Sequence, residues 1–296
     1  MEVRMAAIII DGKKIATRMK DLAKRKLEAI SQNGFKPRIA VVIVGEDPAS
    51  QIYVKQKEKA CAEVGLESEI IKLPVDCTQS ELQSVLIRAS KNVLTAGVML
   101  QLPLPKHLDA NKALRFIRSE KDVDGFTFNA WGDQEPIYYP CTPAGIIFAL
   151  DDAGIDVKGR HVVIVGRSNT VGKPLAAMML KKDATVTICH SKTENLADIT
   201  KQADILVAAV GKPKLITVDM VKEGAVVVDV GINRIQVNDK TRLVGDVDFD
   251  EVSQVASYIT PVPGGVGPLT VAQLMLNTCA AAEQQINTLG LYNLRY

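Results

Sequence analysis

The stretch His161–Pro174 reads HVVIVGRSNTVGKP and decides the fold of this 296-residue chain. Its first five residues are a β-branched run without polar alternation, which predicts a strand buried on both faces of a parallel sheet. Gly166 ends this strand, and from Val171 the apolar residues follow helical spacing. A glycine turn between a strand and a helix N-terminus can hold a dinucleotide pyrophosphate on free N–H groups.

This turn matches the G-x-G-x-x-G pattern of dinucleotide-binding proteins only in part. Ser168 occupies the second glycine position and Val171 the third, while Gly172 comes one residue late. An ordinary strand–turn–helix unit therefore stays open as an alternative when the turn is considered alone.

The end of the following strand bears on the choice of cofactor. Ala184–Cys189 predicts this strand, and the acidic residue that reads the ribose of NAD is expected about 20 residues past the first glycine. The sequence there is His190-Ser191-Lys192, and Arg167 in the turn adds a second cation. Because hydroxyl and basic groups favour a 2′-phosphate that a carboxylate would repel, we predict NADP. A solvated Lys192 and a packing His190 are equally compatible alternatives.

The composition excludes several classes of protein. A length of 296 residues suggests about two domains, and a net charge of +2 gives no reason to expect nucleic acid or a membrane as partner. The five cysteines are scattered, which argues against a disulfide framework or a zinc site and for a reducing cytosol. The opening residues lack the pattern of a signal peptide, and no apolar run reaches the roughly 18 residues of a membrane span. A cytoplasmic protein is expected.

Alternating strands and helices predict an α/β fold. The predicted strands are 39–44, 70–73, 97–100, 161–165, 184–189, 204–208 and 225–230. The predicted helices are 15–30, 50–64 behind an Asp47-Pro48 cap, 79–89, one from a Thr142-Pro143 cap to about 150, one from 171, and 269–286. Turn formers concentrate at 121–143. We predict two α/β domains that flank a cleft, the second of Rossmann type: 1–141, with a C-terminal helix at about 269–296 packed back on it, and 142–268.

Four polar residues are candidates for chemistry in the first domain. Tyr53 and Lys57 lie four residues apart on one predicted helix and share a face. Gln101 follows a strand at the sheet's carboxyl edge, where such sheets bind ligands, and Asp124 lies in the junction. Burial would lower the pKa of a lysine from about 10.4 towards base chemistry. A solvated Lys57 without function is the alternative that spacing alone favours.

Other chemistry finds less support in the sequence. The cysteines lack a plausible histidine partner, and the three histidines lack metal-ligand spacing, so neither thiol catalysis nor a metal is expected. The loop Thr260–Pro268 is dense in proline and glycine, which predicts a rigid turn whose backbone lies close to a ligand. A tight connection between a strand and a helix is the alternative for this loop.

The chain resembles one enzyme family through seven segments: SQIYVKQKEKAC, GVMLQLPLP, KDVDGF, PCTPAG, VGRSNTVGKP, GDVDF and TPVPGGVGPLT. In this order, they are similar to those of bifunctional methylenetetrahydrofolate dehydrogenase/cyclohydrolase, the FolD type. The resemblance implies a folate site between two α/β domains, NADP as cofactor, and a homodimer. It also implies two reactions: oxidation of 5,10-methylenetetrahydrofolate to the methenyl form with NADP⁺, then hydrolysis to 10-formyltetrahydrofolate.

The same resemblance assigns roles to individual residues. Lys57 takes the place of the family's catalytic lysine, with Tyr53 and Gln101 in support, and Asp124 that of the pterin-binding aspartate. The family's nucleotide contacts fall on Gly166, Arg167, Ser168, Ser191 and Ile232. The loop expected to border folate and cofactor includes Pro261, Pro263, Gly264 and Gly265. One departure, WGDQ at 131–134 where members often have a glycine and a basic residue, concerns the interdomain contact.

Two other functions share parts of this pattern. A single-activity dehydrogenase of shikimate type would have the same two-domain plan but would not need Tyr53, Lys57 and Gln101 together. A non-catalytic nucleotide sensor would need only the second domain.

Overall fold

Strands and helices alternate along most of the chain. The computed structural model describes residues 6–32, 34–128, 130, 132, 136–237 and 240–289. The first half contains β1 (Ile8–Ile9), α1 (Gly12–Ser31), β2 (Arg38–Val44), α2 (Pro48–Val64), β3 (Glu67–Leu73), α3 (Gln79–Lys91), β4 (Thr95–Leu100) and α4 (Ala110–Leu114). The second half contains α5 (Cys141–Asp152), β5 (His161–Val165), α6 (Gly172–Lys181), β6 (Thr185–Cys189), α7 (Leu196–Thr200), β7 (Ile205–Ala208), β8 (Val226–Asp229), β9 (Asn233–Val237), β10 (Lys240–Val244), α8 (Phe249–Val252), β11 (Tyr258–Ile259) and α9 (Val266–Leu289).

The described residues group into two compact units, and each is discontinuous in sequence. The Lys57 unit takes those within Thr17–Phe128, Gln134–Cys141 and Val271–Tyr296. The Gly166 unit takes those within Met1–Ala16, Asn129–Asp133 and Thr142–Thr270. The units differ from the predicted domains at the start of the chain: β1 pairs in parallel with β11, so the described residues up to Ala16 group with the Gly166 unit.

The Gly166 unit is built on a parallel six-stranded sheet of order β1-β11-β8-β7-β5-β6. β5 runs between β7 and β6, with Val162 opposite Ile205 and Val165 opposite Cys189. Four of its five residues are buried, as the apolar run predicts for a strand covered on both faces. β5 ends at Val165, so the backbone at Gly166 emerges at the carboxyl edge of the sheet.

The Lys57 unit is built on a parallel three-stranded sheet of order β3-β2-β4. Alternate residues of β2 enter two separate apolar cores, since successive side chains of a strand point to opposite faces. Ile39, Val41 and Ile43 pack in the core that also takes residues of α1, α2 and α9. Ala40, Val42 and Val44 pack in the core that takes residues of α3 and α4. This packing fixes the sheet that carries Gln101.

The predicted start and end of α2 are confirmed. The Asp47 carboxylate accepts the Ser50 N–H at 2.8 Å, Pro48 opens the helix, and Gly65 closes it in a left-handed conformation with φ of 82°. Three other predicted helix starts are wrong. α1 begins at Gly12 instead of Ile15. α5 begins at Cys141, and the Thr142 hydroxyl bonds to Thr270 instead of capping the helix. α9 begins at Val266 because the glycine-rich segment already takes up helical geometry there.

Some elements went unpredicted. β9 and β10 form an antiparallel hairpin, and short β1 and β11 complete one side of the large sheet. Of the divergent WGDQ segment, only Gly132 is among the described residues; Trp131, Asp133 and Gln134 lie outside them. Within the described ranges, no helix has both the length and the apolar character to cross a membrane.

Candidate active site

The structure brings Lys57 and Gln101 together. α2 carries Lys57, and Gln101 follows β4 directly. The lysine amine donates to Gln101 Oε1 at 3.0 Å and contacts the Met99 sulfur at 3.1 Å. The Gln101 amide N–H donates in turn to the Leu102 carbonyl at 2.6 Å, which fixes the amide with its oxygen towards the lysine. The amine is therefore aimed by a side chain that the backbone itself orients.

Burial sets the ionisation of this cluster. It lowers the pKa of Lys57, because a buried ammonium loses its hydration, and the nearby Asp124 carboxylate opposes the effect. Asp124 is 7% exposed, and burial raises its pKa while the Lys57 charge opposes that shift. Each group thus moves towards its neutral form and is partly held charged by the other. A lysine in this state can exchange a proton nearer neutral pH than a solvated one.

Buried residues hold the chain around Asp124 in place. The Cys141 thiol donates to the Val123 carbonyl at 3.3 Å. The Asn277 amide on α9 donates to the carbonyls of Val123 and Tyr139, at 2.9 and 3.0 Å. Burial raises the pKa of the Cys141 thiol well above its usual range, so this sulfur stays protonated and serves as a donor, not a nucleophile.

Tyr53 lies one helical turn before Lys57 on α2 and is half-buried. Between these two described residues there is no hydrogen bond; the lysine amine bonds to Gln101 instead. The shared helix face predicted from the spacing is present, but a hydrogen bond from Tyr53 that orients the amine is not.

The backbone around the turn after β5 is packed so closely that two positions have room only for glycine. A Cβ on Gly166, whose φ is 138°, would lie 2.2 Å from the Ala209 carbonyl oxygen. A Cβ on Gly172 would lie 2.0 Å from the Gly166 carbonyl oxygen, so α6 starts directly against the turn. The Ser168 hydroxyl caps this start, accepting N–H groups of Val171 and Gly172 at 3.1 and 3.4 Å. These contacts make the close strand–helix approach that a pyrophosphate site requires.

The side chains at this edge of the sheet fit a phosphorylated ribose. Arg167 and Ser191 are exposed, and Ile232 is 44% exposed. The His190 ring accepts the Lys192 N–H at 3.2 Å, so its role is to shape the turn after β6 rather than to pack in a core. Within residues 190–192 no carboxylate opposes a 2′-phosphate. The donor set therefore suits NADP better than NAD.

The proline- and glycine-rich loop packs tightly within the Gly166 unit. A Cβ on Gly12 would lie 1.8 Å from the Gly265 carbonyl oxygen, and Gly264 has a φ of 108°. Pro261 is half-buried and Pro263 is exposed, with a cis Val262–Pro263 bond between them. The loop is therefore a compact turn between β11 and α9, and its ligand contacts stay a prediction.

Sequence reasoning did not predict the contact of Met99 with the lysine, or the roles of Cys141 and Asn277 in holding the chain around Asp124. Met99 belongs to a segment, GVMLQLPLP, that resembled the family, but an apolar strand residue gives no signal of a contact with a lysine amine. Asn277 sits in the middle of a long helix far along the chain, where only the three-dimensional structure links it to Val123. Among the described residues, no group of three or more His, Cys, Asp or Glu side chains could hold a metal ion.

Two family models match the chain. One, the tetrahydrofolate dehydrogenase/cyclohydrolase catalytic domain, covers residues 10–124. The other, the NAD(P)-binding domain of the same family, covers residues 140–286. The chain belongs to the tetrahydrofolate dehydrogenase/cyclohydrolase family. The resemblance seen in the sequence is thereby confirmed, and so is the α/β fold with a nucleotide-binding domain.

Individual family members agree along almost their whole length. The bifunctional protein FolD of Moorella thermoacetica is 52% identical over 283 residues, which is 95% of this chain and 100% of that protein. The crystal structure of the bifunctional enzyme FolD from Campylobacter jejuni has a TM-score of 0.90 and 44% identity, covering 94% of this chain and 99% of that one. The Trypanosoma brucei enzyme, solved with NADP cofactor and inhibitor, has a TM-score of 0.90 and 35% identity over 95% and 99% of the two chains.

Proposed function

We propose that this chain catalyses two consecutive reactions of one-carbon metabolism. It oxidises 5,10-methylenetetrahydrofolate to 5,10-methenyltetrahydrofolate with NADP⁺, and then hydrolyses the product to 10-formyltetrahydrofolate. Membership of the dehydrogenase/cyclohydrolase family supports both steps, and its two domain models account for both halves of the chain.

The observation that carries the hydrolytic step is the part-buried Lys57 amine bonded to Gln101. When water adds to the methenyl carbon it loses one proton. As one carbon–nitrogen bond then breaks, the departing nitrogen gains a proton and the new hydroxyl loses its own to become the formyl oxygen, so one proton is released overall. Lys57, with its lowered pKa, takes the first proton as a neutral amine and returns one as an ammonium. Gln101 aims the amine, and Tyr53 shapes the same helix face.

The Gly166 unit holds the cofactor in this proposal. Gly166, Arg167, Ser168, Ser191 and Ile232 contact NADP⁺, with Arg167 and Ser191 on its 2′-phosphate. When bound, NADP⁺ supplies the hydride acceptor of the oxidation. The protein needs no base for that step, because the folate nitrogen stabilises the cation that forms; its residues bind and orient.

The Lys57 unit holds the folate in this proposal. Asp124 is buried beside Lys57 and hydrogen-bonds the pterin through its carboxyl group. The loop residues Pro261, Pro263, Gly264 and Gly265 border folate and cofactor. We assign folate binding to the predicted first domain, and cofactor binding to the second.

A homodimer in the cytoplasm completes the proposal. β6 lies at one end of the six-stranded sheet as described, and an edge strand offers unpaired N–H and C=O groups to a second copy. All five cysteines are free and buried, as expected in a reducing compartment. Light scattering should return about twice the 32.1 kDa of one chain; a value for a single chain would contradict the dimer.

One assay tests both reactions. The purified protein is mixed with NADP⁺ and 5,10-methylenetetrahydrofolate while NADPH and methenyl absorbance are recorded together. The proposal expects NADPH to appear and the methenyl signal to pass through a maximum as hydrolysis consumes it. NADPH with a methenyl signal that decays no faster than without protein would leave only a dehydrogenase. No NADPH would contradict the oxidative step.

A further inference from the structure

Two buried carboxylates at the carboxyl edge of the six-stranded sheet have no part in the proposed chemistry. Asp229 is the last residue of β8 and is 3% exposed. Asp246 follows β10, belongs to the GDVDF segment, and is fully buried. We call them the carboxylate pair. Buried carboxylates persist when fixed donors replace their hydration, so their partners indicate what they do.

Asp229 fixes the backbone that carries Asp246. Its carboxylate accepts the N–H groups of Gly231 and Asp246, both at 2.9 Å, and of Val247 at 3.0 Å. The fit is close: a Cβ on Gly245 would lie 1.7 Å from Asp229 Oδ2. The last residue of β8 thus fixes the position of the Asp246 backbone at the carboxyl edge of the sheet.

Asp246 in turn fixes the loop after β7. Its Oδ2 accepts the N–H groups of Val210 and Gly211 at 2.7 and 2.9 Å. Its Oδ1 accepts the Lys212 N–H and the Asn233 side-chain amide, both at 2.9 Å. Three successive backbone N–H groups turned towards one carboxylate leave this loop little freedom.

The same loop touches the glycine turn. The Ala209 N–H donates to the Val165 carbonyl at 2.8 Å. The Ala209 carbonyl oxygen occupies the space that a Cβ on Gly166 would need, at 2.2 Å. Any shift of residues 209–212 therefore moves the wall against which Gly166 is packed.

We propose that Asp246 is a positioning residue for the NADP site, acting through loop 210–212 on the Gly166 turn. Asp229 supports it by holding its backbone. This inference rests on the proposed binding of NADP by the Gly166 unit. It assigns to the GDVDF segment a role in cofactor affinity, without contact between Asp246 and the cofactor.

Asp246→Asn is the test variant. Both carboxylate oxygens accept two N–H donors, so an amide in either orientation turns its NH₂ group towards two of them. We expect calorimetric titration to show NADP⁺ binding weakened by about tenfold or more, the scale of lost charge-assisted hydrogen bonds. Hydrolysis of supplied methenyltetrahydrofolate should stay within about twofold per folded molecule, because Lys57, Gln101 and Asp124 lie in the other unit.

Asp204→Asn is the matched control. Asp204 lies at the opposite, amino edge of the same sheet. Its carboxylate accepts hydrogen bonds from the His161 N–H at 2.9 Å and from the Lys222 amine at 2.6 Å. NADP⁺ affinity should not change in this variant. Equal weakening in both variants would mean general loosening of the sheet and would overturn the inference, as would wild-type affinity in Asp246→Asn.

Asn233→Ala covers the case in which Asp246→Asn fails to fold. It removes one donor from Asp246 and leaves the buried carboxylate in place, so we expect weakening in the same direction, by about threefold. Unchanged affinity would then overturn the inference. If the unmutated protein binds NADP⁺ but does not reduce it, the proposed function fails while the affinity comparison still decides the role of Asp246.

Discussion

The Lys57 cluster (Lys57, Gln101, Met99 and Asp124) and the carboxylate pair both hold charged groups away from water, but they differ in how many hydrogen-bond partners those groups have. The Lys57 amine has one amide oxygen and one sulfur as partners. The carboxylates of Asp229 and Asp246 accept three and four N–H groups, almost all from the backbone. The Lys57 ammonium therefore has few hydrogen-bond partners, whereas the two carboxylates are surrounded by fixed N–H donors.

This difference separates a reactive group from a structural one. A buried cation with few partners gains by losing its proton, so burial lowers the pKa of Lys57 and makes it useful for proton transfer. Burial also raises the pKa of Asp229 to about 6, but its three backbone donors favour the ionised form and hold the group in one orientation. Removing the lysine should therefore lower catalytic activity, whereas removing a carboxylate should loosen the backbone segments that it holds.

Lys57→Met gives the largest expected effect. It keeps the length of the side chain and removes the amine, so hydrolysis should fall by about 10²-fold or more, the scale of a positioned acid–base group. Oxidation should fall far less, and methenyltetrahydrofolate should accumulate. Equal loss of both activities would instead mean that Lys57 positions folate, and no change in either would mean that it has no catalytic role.

The pH profile of hydrolysis sharpens the same contrast. If neutral Lys57 takes the proton from water, the limiting rate should rise with pH and level off below the usual lysine pKa of 10.5. In Gln101→Leu, loss of the acceptor that favours the ammonium should move the rising limb to lower pH and lower the plateau by about tenfold. Met99→Leu, which replaces the sulfur contact with an apolar side chain of similar size, is the control and should change the plateau much less. An unmoved limb in Gln101→Leu would contradict this account.

Arg167→Ala tests the exposed side of the proposed NADP site in the Gly166 unit. Loss of a guanidinium from the 2′-phosphate should raise KM for NADP⁺ by about tenfold and leave KM for NAD⁺ within about twofold. Steady-state kinetics with both cofactors measure the difference. Lys158→Ala removes another exposed cation of the same unit, paired with Asp183 at 3.3 Å, and should alter neither constant. Equal use of both cofactors by the unmutated protein would contradict the NADP preference.

Asp47→Ala gives the smallest effect. It removes the cap of α2, where the carboxylate accepts the Ser50 N–H, and should lower the free energy of unfolding by about 1 kcal/mol. Hydrolysis should stay nearly unchanged, because Lys57 lies well inside the helix. Thr78→Ala, at the cap of α3, should cost a similar amount and serves for comparison. A large loss of hydrolysis in Asp47→Ala would show that the position of the Lys57 amine depends on the first turn of α2 as well as on the helix face.

Regular elements with strong local signals could be predicted from the sequence. β5 matches its predicted bounds, because an unbroken β-branched run followed by glycine has few other solutions. α2 matches at both ends, because Asp47, Pro48 and Gly65 act locally. β1 and β11, of two residues each, could not be predicted, since their stability comes from parallel pairing across about 250 positions.

The site was predictable only where family motifs name its residues. Lys57 and Gln101 meet as expected, but their environment arises from distant segments, and no spacing reveals that Met99 would touch the amine. The absence of a Tyr53–Lys57 bond could not be foreseen either, since a shared helix face fixes direction and not contact. Of the carboxylate pair, only Asp246 lies in a recognised segment, GDVDF, which offers no reason for its aspartate, and Asp229 ends an apolar strand without any signal of its role.

The split of each unit along the chain has a consequence for synthesis on the ribosome. The Asn277 amide ties down Val123 from 154 positions further on, and α9 supplies much of the core behind the Lys57 sheet. The Gly166 unit likewise waits for Tyr258–Ile259 before β1 has a partner. The Lys57 unit therefore lacks part of its core, and the Gly166 unit lacks the partner of β1, until most of the chain has been made. The residues around Lys57, although translated early, should become protected from hydrogen exchange only after the final helix has left the exit tunnel.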